Sequence, residues 1–100
     1  MQSDGSFSLG HNAWPGLGKC IEESGELNQV FGKIIANKGA TSYWGALDLR
    51  EKLVEELADD LAAKFVFIDL NMTPEECGLI ELRMFEKMNQ FQAWYDGDVG

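Results

Sequence analysis

The sequence predicts an all-α protein whose three main helices form an antiparallel bundle. Apolar residues recur at helical spacing through two long stretches. No segment sustains the two-residue alternation of a half-buried strand. Two segments open with side chains of the kind that cap helices. At 100 residues the chain is one domain's worth of sequence. Residues 1–10 read as a flexible Ser/Gly leader, 11–95 as the helical domain and 96–100 as a frayed tail.

The first helix is expected over about residues 16–36, with Leu17, Cys20, Leu27, Phe31, Ile34 and Ile35 on one stripe. Pro15 suits its first turn and Gly39 its end. Thr41 to Leu47 reads as a short connection carrying Tyr43 and Trp44. Asp48 is a good N-cap for a second helix over about residues 49–70, with Glu51 three positions on. Phe65-Val66-Phe67-Ile68 would suit a buried strand in isolation, but it sits inside that helical pattern. Thr73, Pro74 and Glu76 mark the start of a third helix that runs to about Trp94.

The second helix is apolar around much of its circumference. Leu53, Val54, Leu57, Leu61, Phe65 and Ile68 cover a broad face, which Ala58, Ala62 and Val66 extend. Two other helices of a chain this short would struggle to cover it, so a homodimer or larger oligomer is expected, with this helix near the interface.

Seventeen acidic residues against eight basic ones give a net charge of −9. That balance argues against binding a nucleic-acid polymer, which needs a basic face. It is compatible with a polyphosphate substrate if bound cations invert the local field. No apolar run is long enough to cross a membrane, and Met1–Gly10 lacks the pattern of a secretory signal. Cys20 and Cys77 lack metal-type spacing and read as reduced thiols of a cytoplasmic protein.

The chemistry is concentrated in carboxylates. Glu22-Glu23-Ser24-Gly25-Glu26 lies on the first helix and Glu55-Glu56-Leu57-Ala58-Asp59-Asp60 on the second. Residues three or four apart share a helix face, so Glu23 joins Glu26 and Glu56 joins Asp59. Both pairs border the apolar stripes, where neighbouring helices would meet. Like charges in a partly dry site raise each other's pKa and cost stability, and a divalent cation removes that cost. Mg²⁺ is the natural choice, with Mn²⁺ as a substitute, because the chain offers oxygen ligands and a single histidine, His11. The bland alternative is two solvated acidic faces paired with lysines. Lys64 reads either as a phosphate contact or as a snorkelling lysine. Lys19 and Lys33 read either as phosphate contacts or as partners of the acids. His11, Trp14 and Trp44 flank the two helix starts, where an aromatic either stacks on a nucleobase or caps the small core.

These motifs resemble those of the MazG-like all-alpha nucleoside triphosphate pyrophosphohydrolases. That family carries Glu-Glu-x-x-Glu on one helix and Glu-x-x-Asp on the next long one. Here they read Glu22-Glu23-Ser24-Gly25-Glu26 and Glu56-Leu57-Ala58-Asp59, and the likeness covers about residues 16–70. The resemblance implies Mg²⁺ held by Glu23, Glu26, Glu56 and Asp59, with Glu22 and Glu23 as the catalytic residues and Glu22 assisting either as an acid behind the ligands or as base for the attacking water. It further implies hydrolysis of a (deoxy)nucleoside triphosphate to the monophosphate and pyrophosphate, as nucleotide-pool house-cleaning by a homodimer or dimer of dimers. Lys19, Lys64, Trp44, His11 and Trp14 are the candidates to contact substrate. The competing expectation is a non-catalytic acidic helical module that binds a protein partner.

Overall fold

The computed structural model describes residues 13–41 and 48–99, which are entirely helix, turn and connection, with no strand among them. Helix α1 spans Leu17–Ala36, α2 spans Leu49–Asn71 and α3 spans Pro74–Val99. Phe65 to Ile68 lie inside α2, as their context predicts.

Each boundary has a local cause. Ahead of α1, Gly16 sits at φ 88°, a conformation that favours glycine, with its Cα side close against Phe67 and Leu70. Pro15 lies in the preceding turn, where its carbonyl accepts a 2.8 Å bond from the Asn71 amide. At the other end, Gly39 N–H bonds to the Ile34 carbonyl at 2.8 Å and Lys38 N–H to that of Ile35 at 2.9 Å. This is a Schellman closure with Lys38 itself in the left-handed position, at φ 57°, ahead of Gly39. The Asp48 carboxylate caps α2 by accepting from Arg50 N–H at 2.9 Å. Thr73 and Glu76 form the reciprocal capping box of α3: Glu76 accepts from Thr73 N–H at 2.9 Å, and Thr73 Oγ1 accepts from Glu76 N–H at 3.1 Å. Helix α3 continues past Trp94 to Val99, and Gln92 donates to Asp96 across one turn of that extension.

Helices α1 and α2 pack as an antiparallel hairpin. Pro15 meets Asn71, Cys20 meets Ala63 and Ser24 meets Asp60, so partner numbers fall as position along α1 rises. Thr41 O accepts from Leu49 N–H at 2.8 Å, tying the hairpin together near its turn. Helix α3 does not close a bundle on this hairpin. It diverges from α2, sharing only an apolar cleft near their connection. The radius of gyration is 16.8 Å, against about 13 Å for a compact domain of this length. The principal extents are 42, 36 and 15 Å, so the chain is flattened.

With only α1 and α2 packed together, the chain buries little. Among the described residues the buried apolar ones are Leu27, Val30, Leu49 and Ala63. Leu27 and Val30 lie on the α1 stripe, whereas Phe31 and Ile35, expected there, are 42% and 77% exposed. On α2 the broad apolar face turns away from α1: Val54, Leu57, Leu61 and Phe65 are exposed. The face that meets α1 instead buries Glu56, Asp60 and Ala63.

Candidate metal centre

One turn of α1 and one turn of α2 bring three carboxylates together. One oxygen each of Glu23, Glu56 and Asp59 lies within 4.8 Å of the other two. Glu23 is half-buried, Glu56 buried and Asp59 exposed, so the group grades from the helix contact out to solvent. Antiparallel packing explains the meeting. The register that sets Ser24 against Asp60 sets their chain neighbours, Glu23 and Asp59, side by side.

The electrostatics of this group are unbalanced. Burial, the charge of Glu26 and the charge of Asp59 push the Glu23 carboxyl above the usual carboxylate range, and a hydrogen bond shared with Glu26 adds to the shift. Lys19 opposes it weakly. Glu56 accepts from Lys52 at 3.0 Å through one oxygen, and that contact raises the Lys52 ammonium. The other oxygen of Glu56 is buried with no hydrogen-bond partner, and so is one oxygen of Glu23. An ionised carboxylate that is only 4% exposed and keeps an unpaired oxygen is costly. This donor set fits a hard divalent cation: all oxygen, from two rigid helices, with one ligand open to solvent.

A hollow of about 370 Å³ opens beside the group, lined by Lys19, Glu23, Asp59, Ala62, Ala63 and Val66. Its floor is apolar, and its rim carries one ammonium and two carboxylates. Glu26 lies outside the three-carboxylate group, on a second hollow with Lys33, Lys52 and Glu56. Glu22 is exposed and pairs with Lys19 at 3.4 Å. Trp14 stacks on Phe67 with ring centroids 6.1 Å apart, so one of its faces packs against α2. His11 and Trp44 lie outside the described residues.

Lys64 has a partner that the spacing of the acid pairs does not bring to the fore. Its ammonium donates to Ser24 Oγ at 2.9 Å and to Asp60, while Ser24 Oγ donates to Asp60 at 2.9 Å. Lys64 chiefly, and Ser24 with it, hold the Asp60 carboxyl below the usual carboxylate range against the opposing effect of burial. This polar clasp lies one turn from the carboxylate group and locks the two helices in register. The signal for half of it was present, since Asp60 and Lys64 stand four apart on one helix. Nearby, Cys20 donates its thiol to the Ala63 carbonyl at 3.4 Å, and burial is the main cause that raises its pKa. Cys20 and Cys77 are both free thiols.

Comparison with known proteins adds no relative: no family model, curated protein or solved structure matches the chain. No helix among the described residues is long and apolar enough to cross a membrane.

Proposed function

We propose that the chain is a Mg²⁺-dependent nucleoside triphosphate pyrophosphohydrolase that acts as a homodimer or dimer of dimers. One observation carries the reading: the two motif helices direct Glu23, Glu56 and Asp59 into one cluster, with a buried, unpaired oxygen on both Glu23 and Glu56. A merely solvated acidic face would leave both oxygens to water. The motif resemblance supplies the reaction class, and the adjacent hollow supplies room for a phosphate chain.

In this reading Glu56 and Asp59 hold the cation from α2 and Glu23 from α1, with Glu26 completing the set. Bound Mg²⁺ would neutralise the triphosphate and acidify the attacking water. Lys19, on the rim of the hollow, contacts the phosphates, and the apolar floor of Ala62 and Val66 excludes water from one side of them. Glu22, held by Lys19, assists as a base from outside the cluster. Lys64 acts through Asp60 and Ser24 and holds α1 in register. It need not touch substrate.

The exposed apolar faces of α2 and α3 favour a second reading, an acidic helical module that binds a protein partner. Pyrophosphate release from a panel of standard and modified nucleoside triphosphates, with Mg²⁺ or with chelator, separates the two. The enzyme reading expects metal-dependent release with the monophosphate as co-product, and its loss in a folded Glu56→Gln variant. Normal turnover by that variant would remove the metal assignment. Absence of release across the whole panel would favour the binding module.

A further inference from the structure

The two motif helices repeat one another. Lys19, Glu23 and Glu26 on α1 have the spacing of Lys52, Glu56 and Asp59 on α2, and each residue lies 33 positions from its counterpart. The packing keeps the repeat. Leu27 and Val30 are buried, and so are their counterparts Asp60 and Ala63. The two buried oxygens without a partner also correspond, one on Glu23 and one on Glu56. The hollow beside the carboxylates is lined by Lys19, Glu23, Asp59, Ala62, Ala63 and Val66. The second hollow is lined by Lys52, Glu56, Glu26, Gln29, Val30 and Lys33, the counterparts of those six in the same order.

Two antiparallel helices that bury the same face are exchanged by a two-fold axis perpendicular to the plane they lie in. Such an axis leaves each face of the hairpin on itself. Both hollows therefore open on one face, on either side of the carboxylates, and together they form a groove along the hairpin.

The symmetry breaks where a ligand would sense it. In the second hollow the Gln29 amide stands in place of Ala62, and the Lys33 ammonium in place of Val66. The first hollow is about 370 Å³ with an apolar floor and one ammonium; the second is about 220 Å³ with two ammoniums. Lys33 forms no ion pair among the described residues. Lys52 holds one oxygen of Glu56 at 3.0 Å and has two further donors. The acids of this hollow, Glu26 and Glu56, are ones that the proposed cation would neutralise, which leaves it positive. The groove is thus suited to an anion at one end and to uncharged surface at the other.

We propose that the groove takes a nucleoside triphosphate in one direction, with its two terminal phosphates on Lys33, Lys52 and Gln29 and its sugar over Ala62 and Val66. This orientation rests on the pyrophosphohydrolase reading. Lys19 meets the phosphate that carries the sugar, and the carboxylates lie under the bond to be cleaved. Pyrophosphate is the product that the smaller hollow holds.

The test is calorimetric titration of the full chain with inorganic pyrophosphate in Mg²⁺, beside thermal melts with Mg²⁺ and with EDTA. Lys33→Val copies the residue of the other hollow and should weaken pyrophosphate binding about tenfold or more, the loss of one charge-assisted hydrogen bond. Lys33 is exposed, so the fold and the Mg²⁺ shift in Tm should stay, and Lys33→Gln should behave alike. Lys38→Gly removes the same charge five residues further on and should leave pyrophosphate affinity unchanged. Val66→Lys added to Lys33→Val puts a second ammonium in the other hollow and should restore binding. A wild type that responds to Mg²⁺ but ignores pyrophosphate would overturn the orientation alone. So would equal losses in Lys33→Val and Lys38→Gly, or a double variant no tighter than Lys33→Val. A wild type whose melting ignores Mg²⁺ would overturn the metal reading and the orientation with it.

Discussion

Substituting Glu23 by Gln should stabilise the metal-free protein and remove its response to Mg²⁺. Glu23 stands within 4.8 Å of both Glu56 and Asp59. At that distance and an effective dielectric of about 20, one pair of like charges repels by about 3.5 kcal/mol. Solvent at the exposed Asp59 and salt screening reduce this to about 1–2 kcal/mol. The Glu23→Gln amide would also offer a donor to the unpaired oxygen of Glu56. Each kcal/mol corresponds to about 4–8 °C in Tm for a chain of this size, so thermal melts in EDTA resolve the gain. In Mg²⁺ at about a hundred times its Kd, wild type should gain about 2.7 kcal/mol, and the variant much less. The pH dependence has a definite sign. Because the Glu23 carboxyl is raised in the folded state, metal-free wild type loses stability as pH climbs from the ordinary carboxylate value through the raised one. The variant lacks that loss. A variant that melts at or below wild type in EDTA, or shows an equal Mg²⁺ shift, would refute the argument.

Two further outcomes test the scaffold. Asp60→Asn should cost about 2 kcal/mol at neutral pH in urea unfolding, through weaker bonds to Lys64 and Ser24. Since the Asp60 carboxyl is lowered in the fold, its contribution is present above the ordinary aspartate value and fades as pH falls through the lowered one. The gap between wild type and Asp60→Asn should therefore close in acid, and a gap independent of pH would contradict the clasp. Lys38→Gly should stabilise the chain by about 0.5–1 kcal/mol in the same assay, because Lys38 holds a left-handed conformation at the end of α1. Destabilisation there would mean that the turn does not have this closure.

The helices were legible because their punctuation is local. Thr73 and Glu76 cap α3 by contacts three residues apart, and the two bonds in the structure are the ones the spacing requires. The end of α1 is less legible by one position. Gly39 is the better left-handed former, but the hydrogen bonds set Lys38 at the first position of the closure. That acids of α1 and α2 would face each other was legible from two helical periodicities, whereas the structure groups Glu23 with Glu56 and Asp59 and leaves Glu26 outside. The orientation of α2 was not. Its largest apolar face, from Val54 to Phe65, reads as the surface that meets its neighbours, yet α1 packs on Glu56, Asp60 and Ala63. Periodicity shows that a face is apolar without saying which molecule covers it, and a surface left for another chain looks the same in sequence as a core.

The two acids that α2 buries against α1 separate scaffold from site. Asp60 and Glu56 stand one turn apart on the same face, 8% and 3% exposed. Either would destabilise the hairpin if left ionised without partners. Asp60 is answered from within the chain by an ammonium and a hydroxyl, one from each helix, and its pKa falls accordingly. Glu56 is answered by Lys52 on one oxygen alone, its other oxygen has no partner, and its carboxylate lies beside those of Glu23 and Asp59. A second clasp like that of Asp60 would need only a lysine or serine where Glu23 stands. The chain places a third acid there instead, a cost to the hairpin that the proposed cation would remove. That choice of residue, against the stability of its own fold, is the strongest physical argument that the cluster binds metal.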